Sequence, residues 1–265
     1  MAWYSMWLFL WDDVVEDSAI PSAANTNTLR VEWLHEQALK YVEFHLGLSA
    51  SAEEPPPPTK YCTLFKHAGA PLREACTVAE RVRFYAALQE YMECCEVESA
   101  YVRRGELPST SEYWEHRLGT SSVNTYSALG EYMSGGHIPE QLFDTPELKT
   151  MWFELNRHIV TMNDVVSLKK EIVFTNLNTL AGQSLTRLQG KSLHSLVPIV
   201  INETGADLDA VVASSIEILR ISGENIDRMA ERLLAMTEHD PQARASVEAY
   251  VGPFWTNLTG SYWWS

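Results

Sequence analysis

The densest group of potentially reactive side chains near the start of the sequence is the acidic run "DDVVED", residues 12–17. Asp12 and Glu16 are four residues apart and Asp13 and Glu16 are three apart, so a helix would place these carboxylates on one face. Packed carboxylates repel one another unless a cation neutralises them, and Mg²⁺ binds one or two carboxylates together with water and phosphate oxygens. The alternative is a solvated acidic helix end, which a helix N-terminus also favours.

A second polar pattern lies in "MNDVVSLKKE", residues 162–171. Asn163, Ser167 and Glu171 follow one another at intervals of four residues, so a helix would carry all three on one stripe. An amide, a hydroxyl and a carboxylate oxygen form a hard ligand set that suits Mg²⁺ and is poor for zinc. The alternative is three polar positions on a solvated helix face.

The elements that must position these residues are predicted to be helices. Residues 30–48 and 77–104 carry apolar side chains at three- to five-residue steps, and Gly105 closes the second run. Residues 214–239 show a similar period that is interrupted at Gly223. No group of segments alternates with period two between tight turns, so an all-α fold is expected.

The clearest interruption of this helical pattern is "SASAEEPPPPTK", residues 49–60. Successive prolines donate no backbone hydrogen bond and favour an extended conformation, so a surface loop is expected here. The stretch before this loop is too small to hold a core of its own. We therefore expect one domain over residues 1–265.

Charge and composition exclude several classes of function. The net charge is −15, which argues against nucleic-acid binding because such a face needs clustered Lys and Arg. The four cysteines form no CxxC pair and indicate reduced thiols in an intracellular protein. The apolar start "MAWYSMWLFLW" has no basic residue and is shorter than the roughly 20 residues of a membrane span. A cytoplasmic protein without membrane insertion is expected.

Together, the two polar patterns resemble the metal-binding motifs of class I terpene synthases, DDxx(D/E) and (N/D)DxxSxxxE. The apolar lead "WLFLWDD" and the form "NDVVSLKKE" are most similar to fungal sesquiterpene cyclases. Isoprenyl diphosphate synthases carry two aspartate-rich motifs instead, so the Asn/Ser/Glu form favours a cyclase. The resemblance implies a helical class I terpenoid synthase bundle and a carbon–oxygen lyase that acts on phosphates.

The resemblance also implies residue roles. Three Mg²⁺ ions, with Mn²⁺ as a substitute, would be held by six side chains: Asp12, Asp13, Glu16, Asn163, Ser167 and Glu171. The family carries a diphosphate-binding Arg at the position of Arg117, 46 residues before Asn163, and a diphosphate-binding Lys at Lys170. The alternative for Arg117 is a surface ion pair with Glu112 or Glu115, and for Lys170 simple solvation. The family's helix break after this Arg would fall at Thr120 and Ser121.

The implied reaction is ionisation of a prenyl diphosphate, most readily farnesyl diphosphate, followed by cyclisation of the carbocation to a sesquiterpene. The expected catalytic set is Asp12, Asn163, Ser167, Glu171 and Arg117. Aromatic faces would shield the cation and stabilise it. The candidate pool is Trp7, Phe9, Trp11, Phe84, Tyr85 and Trp152, with ordinary core packing as the alternative for each one.

Two departures from the family pattern favour a second interpretation. Eleven residues precede Asp12, fewer than the family usually carries, so the usual N-terminal helices are expected to be missing. The final stretch "WTNLTGSYWWS" resembles the lead-in to the family's Arg-Tyr pair, but no Arg accompanies Tyr262. A truncated, weakly active or inactive homologue that acts as a helical binding protein is the alternative function.

Missing N-terminal helices would expose apolar surface, which would favour a homodimer.

Overall fold

The computed structural model describes residues 1–19, 27–180 and 194–264, with side chains for 1–15, 31–169 and 194–260. Within these ranges the chain forms helices and turns and no strand. The α-helices are α1 Ala2–Ala19, α2 Asn27–His45, α3 Phe65–Ala75, α4 Val78–Arg104, α5 Thr110–Thr120, α6 Val123–Ala128, α7 Gly130–Ser134, α8 Pro146–Leu180, α9 Leu196–Thr204, α10 Leu208–Met236 and α11 Pro241–Trp264; 3₁₀ helices span Lys60–Leu64 and Glu140–Asp144.

Helices α4 and α5 both begin with a capping box. Thr77 accepts a hydrogen bond from the Glu80 amide while the Glu80 carboxylate accepts one from the Thr77 amide. Ser109 and Glu112 form the same reciprocal pair at the start of α5. Each box satisfies two backbone donors that a helix start leaves unpaired. Gly105 ends α4 in the left-handed conformation at φ 67°, which confirms the boundary predicted from the sequence.

Two other expectations have different outcomes. The segment between α2 and Lys60 is irregular and mostly exposed, as the prolines of residues 49–60 predicted. The interruption expected at Gly223 was wrong, because α10 runs without a break from Leu208 to Met236. A single glycine costs a helix only about 1 kcal/mol relative to alanine, and tertiary packing overrides that cost.

The apolar core has three parts. The first is packed between α1, α2, α3 and α4, and includes Trp7, Trp11 and Phe84. The second lies between α8, α10 and α11. Trp152 on α8 packs against both. A third, smaller cluster joins Tyr113 of α5 to Leu196 and Ile199 of α9, so the core fixes α5, α8 and α9 relative to one another.

None of the described helices combines the length and the apolar character that crossing a bilayer requires.

Candidate active site

The first motif lies in the C-terminal half of α1, directly after buried aromatic residues. Trp7 and Trp11 are fully buried, whereas Asp12 and Asp13 are exposed. The Tyr91 hydroxyl of α4 donates a hydrogen bond of 3.2 Å to Asp12 Oδ1. The helix therefore anchors its apolar face in the core and presents two carboxylates at its surface. Glu16 belongs to α1, but its side chain lies outside the described residues.

The aromatic side chains predicted to shield the cation differ in how far they are buried. Trp7, Trp11 and Phe84 are each 0% exposed in the core, and so cannot line a cavity that solvent reaches; core packing describes them. Phe9 is 58% exposed on the surface of α1. Trp152 is partly buried, and its Nε1 donates 3.0 Å to the Tyr250 hydroxyl. Tyr85, also partly buried, packs against the first core cluster.

The second motif lies on the long helix α8. Asn163 and Ser167 are both partly buried and stand one turn apart. Lys170 and Glu171 continue the same helix, but their side chains lie outside the described residues. Val166 on the same helix is 40% exposed.

Arg117 projects from α5 onto this part of α8. Its Nη2 donates 3.4 Å to Asn163 Oδ1 and 3.2 Å to Asp164 Oδ1. Its Nη1 lies 3.4 Å from the Thr120 hydroxyl, and its buried Nε has no hydrogen-bond partner. Among the described residues, the ion pair of Arg117 is with Asp164 rather than with Glu112 or Glu115.

Asp164 is the buried partner that holds this arrangement together, at 1% exposure. Its Oδ2 accepts a hydrogen bond from the Tyr113 hydroxyl and another, at 2.6 Å, from the Leu196 amide at the start of α9. Its Oδ1 accepts from Arg117. One carboxylate therefore connects α5, α8 and α9.

The charges around Asp164 shift the pKa values of Arg117 and Tyr113. Burial opposes the charge of Arg117, but the facing Asp164 carboxylate, together with Tyr113 and Glu98, outweighs burial and raises the pKa of the guanidinium. Burial, followed by the charge of Asp164, raises the pKa of the Tyr113 hydroxyl well above its ordinary value. Arg117 is thus a permanent cation, and Tyr113 remains a hydrogen-bond donor at neutral pH.

A helix break follows Arg117, one residue later than the Thr120 and Ser121 that the family resemblance predicted. Helix α5 ends at Thr120 and α6 begins at Val123, so the break falls at Ser121 and Ser122. Ser122 adopts φ 56°, the left-handed conformation that is uncommon for a residue with a side chain.

Helix α4 faces both motifs from the side. Tyr91, Cys95 and Glu98 lie on one of its faces, at intervals of four and three residues. Burial, followed by the charges of Glu98 and Asp12, raises the pKa of the Cys95 thiol. Glu98 also acts electrostatically on Arg117. This face of α4 therefore contacts the first motif at one end and approaches Arg117 at the other.

The donor chemistry of the two motifs fits a hard divalent cation. Asp12 and Asp13 supply exposed carboxylates, and Asn163 and Ser167 supply an amide and a hydroxyl oxygen. The long 3.4 Å contact from Arg117 leaves the Asn163 oxygen able to accept a further partner. Oxygen-only donors of this kind are typical for Mg²⁺ or Mn²⁺.

A different group of potential ligands lies near the start of α4. Among the described side chains, atoms of Glu80, Glu131 and His137 lie within 4.8 Å of one another. Glu131 already accepts from the Ile138 amide at 2.9 Å and from Arg83 at 2.6 Å. Glu80 pairs with His137 at 2.8 Å and with its capping box. This network is satisfied by its own ion pairs and needs no metal.

Several residues around the site carry no signal in the sequence, or only a weak one. Asp164 directly follows Asn163, so its place in the second motif could have suggested a role. Asn156 lies two helical turns before Asn163 and could have been noticed by spacing. Tyr91 and Tyr113 are ordinary helical aromatics in the sequence, and only tertiary packing brings them to the two carboxylates.

The fold is that of solved terpene synthases. The linalool/nerolidol synthase of Streptomyces clavuligerus superimposes with a TM-score of 0.73 at 19% identity, covering 97% of this chain and 78% of that chain. An a-eudesmol synthase superimposes with a TM-score of 0.76 at 16% identity, covering 97% and 76%. These neighbours confirm the all-α class I terpene synthase fold.

Sequence relatives among characterised proteins include fungal terpene cyclases. The sesquiterpene cyclase hepA of Aspergillus oryzae is 26% identical over 270 residues, covering 99% of this chain and 68% of the relative. The terpene cyclase braA of Annulohypoxylon truncatum is 23% identical, covering 100% and 65%. Both the resemblance to fungal sesquiterpene synthases and the enzyme class predicted from it, a lyase that acts on prenyl diphosphates, are confirmed.

Residues 4–220 also match the family profile described as "Terpene synthase family 2, C-terminal metal binding". This span contains both oxygen-rich motifs, Arg117 and the buried Asp164. The chain therefore belongs to terpene synthase family 2.

Proposed function

We propose that this chain ionises a prenyl diphosphate, most readily farnesyl diphosphate, and cyclises the carbocation to a sesquiterpene with release of diphosphate. The observation that carries the proposal is the position of Arg117, which lies 3.4 Å from Asn163 and 3.2 Å from Asp164. It places a permanent cation for the diphosphate directly beside the predicted metal-ligand stripe. Relatives named as sesquiterpene cyclases support a C15 substrate.

The expected cofactor is Mg²⁺, with Mn²⁺ as a substitute and three ions in all. When bound, such ions neutralise the charge that grows on a leaving diphosphate. The residues proposed to hold them are Asp12, Asp13 and Glu16 from α1, and Asn163, Ser167 and Glu171 from α8.

The protein's own contribution is a fixed anion-binding group. A guanidinium offers a planar fork of donors that matches phosphate oxygens. Because Asp164 orients Arg117 before substrate arrives, little reorganisation is needed when negative charge develops. The unpartnered Nε of Arg117 leaves a donor for a substrate oxygen. Lys170 is proposed as a second cation for the same diphosphate.

The test is incubation with geranyl, farnesyl and geranylgeranyl diphosphate in Mg²⁺, followed by assay of free diphosphate and gas chromatography of the products. We expect cyclic C15 products from farnesyl diphosphate and loss of turnover with chelator. Asn163→Ala and Glu171→Gln should abolish turnover. Thr161→Val is the matched control, since Thr161 bonds only the Arg157 carbonyl of its own helix.

Each outcome of this test bears on one part of the proposal. No diphosphate release from any of the three substrates would overturn it. Release with only linear alcohols would retain ionisation and contradict cyclisation. Unchanged rates in both Asn163→Ala and Glu171→Gln would show that the ligand assignment on α8 is wrong.

The homodimer and the cytoplasmic location stay predictions. Light scattering at micromolar concentration tests the first, and a monomer there would contradict it. Fractionation of the host cell tests the second.

A further inference from the structure

We propose that Asn156 is a positioning residue that fixes the break between α5 and α6 and thereby the direction of Arg117. Asn156 belongs to neither motif, and the geometric part of the inference stands on the structure alone. Its effect on turnover rests on the proposed function.

Asn156 makes three hydrogen bonds, all of them to the break. It is 1% exposed on α8, two helical turns before Asn163. Its Nδ2 donates 2.6 Å to the Leu118 carbonyl and 3.1 Å to Asn124 Oδ1. Its Oδ1 accepts 2.8 Å from the Ser121 hydroxyl. One side chain therefore contacts residues before, within and after the break.

The break takes the usual helical hydrogen-bond donor away from the Leu118 carbonyl. The Ser122 amide bonds to the Gly119 carbonyl at 3.1 Å, one residue short of the α-helical partner, which is the Leu118 carbonyl. A polar group that is buried without a partner is destabilising. The Asn156 Nδ2 supplies a donor to Leu118 at 2.6 Å, and the Ser121 hydroxyl lies 2.9 Å from the same carbonyl.

The orientation of the Asn156 amide follows from its partners. The Leu118 carbonyl can only accept, so Nδ2 must face it and Oδ1 must face Ser121. The Ser121 hydroxyl accepts from the Val123 amide at 3.2 Å, and its single proton faces two acceptors, Asn156 Oδ1 at 2.8 Å and the Leu118 carbonyl at 2.9 Å. No other side chain of this size carries a donor and an acceptor at this spacing.

The chain of bonds extends to a fourth helix. Asn124 accepts from Asn156 and its own Nδ2 lies 3.3 Å from Glu90 Oε2 on α4. The break is thus held between α8 on one side and α4 on the other.

The break controls Arg117 through the direction of the helix. Tyr113 and Arg117 contact Asp164, whereas Leu118 contacts Asn156, so α5 runs antiparallel to α8 and is attached at two points. The Thr120 hydroxyl, one residue before the break, lies 3.4 Å both from Arg117 Nη1 and from the Arg117 carbonyl. Releasing the Asn156 attachment would leave these hydrogen bonds between α5 and α8 only at the Tyr113 and Arg117 end.

The experiment compares Asn156→Asp and Asn156→Ser with Thr161→Val. Asp keeps the shape but replaces the donor by an acceptor, and Ser is too short to reach Leu118. Thr161 is 0% exposed on the same helix, and among the described residues its hydroxyl bonds to the Arg157 carbonyl and not to the break, so it controls for a general loss of stability. Hydrogen–deuterium exchange of residues 118–125 should rise in both Asn156 variants and stay unchanged in Thr161→Val.

Turnover supplies a second readout. We expect kcat with farnesyl diphosphate to fall about 10- to 100-fold in both Asn156 variants, with a smaller change in KM, because misplacement by about 1 Å costs this much. If the wild-type protein releases no diphosphate, the proposed function fails while the exchange data still decide the geometric claim. Exchange in residues 118–125 equal to that of the wild type, or a kcat within twofold of it in a folded variant, would overturn the inference.

Discussion

The two motif-bearing helices hold their carboxylates in opposite surroundings. On α1, Asp12 and Asp13 are exposed, and Tyr91 donates to Asp12 from the side. On α8, Asp164 is 1% exposed and accepts from Tyr113, Arg117 and the start of α9. The carboxylates of α1 face solvent, where an incoming ion can reach them. The α8 side is fixed before any ligand arrives.

The buried carboxylate of α8 contributes to the stability of the fold, whereas the exposed carboxylates of α1 contribute mainly to ion binding. Breaking a buried ion pair is costly because the remaining charge has no partner, whereas an exposed acid contributes little to stability. Substitutions on α8 should therefore damage both folding and function. Substitutions on α1 should damage ion binding and leave folding nearly unchanged.

The largest expected effect is that of Asp164→Ala. It leaves Arg117 and Tyr113 without their buried partner and should lower the free energy of unfolding by about 3–5 kcal/mol. Asp13→Ala, at an exposed position, should stay within about 0.5 kcal/mol of the wild type. Urea denaturation of both variants measures the contrast, and equal losses would remove the distinction between the two helices.

Part of the pH dependence of stability should come from the α8 side. Burial lowers the pKa of His116 and of His194 below the ordinary 6.5, although Glu98 opposes the shift. The unfolded chain therefore takes up these protons first, so stability is lost as pH falls below about 6.5, by at most about 1.4 kcal/mol per pH unit for each group.

Urea denaturation at pH 7.5 and 5.5 tests this sign. The double variant His116→Gln and His194→Gln should lose less stability on acidification than the wild type. His239→Gln, at a fully solvated position, is the control and should not change the dependence. A double variant that keeps the wild-type loss would show that other groups cause it.

Tyr113 and Tyr91 each donate a hydrogen bond to an aspartate, one buried on α8 and one exposed on α1, so the two helices can be compared through them. Tyr113→Phe removes the hydroxyl that donates to buried Asp164 and should cost about 1.5–3 kcal/mol, the range for bonds to charged groups. Tyr91→Phe removes the donor to exposed Asp12 and should cost about 0.5–1.5 kcal/mol. Tyr91→Phe should also weaken Mn²⁺ binding about tenfold, as measured by a spectroscopic titration. The reverse order of stability losses would contradict the burial argument.

The smallest effect is expected at the break itself. Ser122 holds φ 56°, a conformation that costs a side-chain-bearing residue about 1–2 kcal/mol and glycine nothing. Ser122→Gly should therefore raise the free energy of unfolding by about 0.5–1 kcal/mol. The gain is smaller than the relieved strain because glycine gives the unfolded chain more conformational entropy. Ser121→Gly, at φ −63°, should lower it instead. A loss of stability in Ser122→Gly would show that the Ser122 side chain has a role of its own.

The sequence was sufficient to predict helix boundaries and the proximity of Arg117 to Asn163. Thr77, Glu80 and Gly105 mark the ends of α4 by local chemistry, which acts within a few residues and can be read from a sequence. Arg117 was placed by its spacing from Asn163, and the structure brings these two together at 3.4 Å. The helix break was also foreseen near Thr120.

The supporting contacts could not be predicted because they depend on how helices pack. Asn156 and Leu118 are 38 residues apart, and Tyr91 and Asp12 are 79 apart. No local rule pairs such positions. Gly223 shows the opposite error, in which a local signal for a break was overridden by packing along α10.

The absence of a side chain at Gly119 fixes how far the site can be redesigned. A Cβ at this position would lie 2.7 Å from the Cβ of Cys94, so α4 and α5 meet with no room for a methyl group. Burial and the nearby Glu90 raise the pKa of the Cys94 thiol to about 11, which keeps it protonated and slow to react with alkylating reagents. A mutagenesis library aimed at new products should hold positions 94 and 119 constant and vary the other walls.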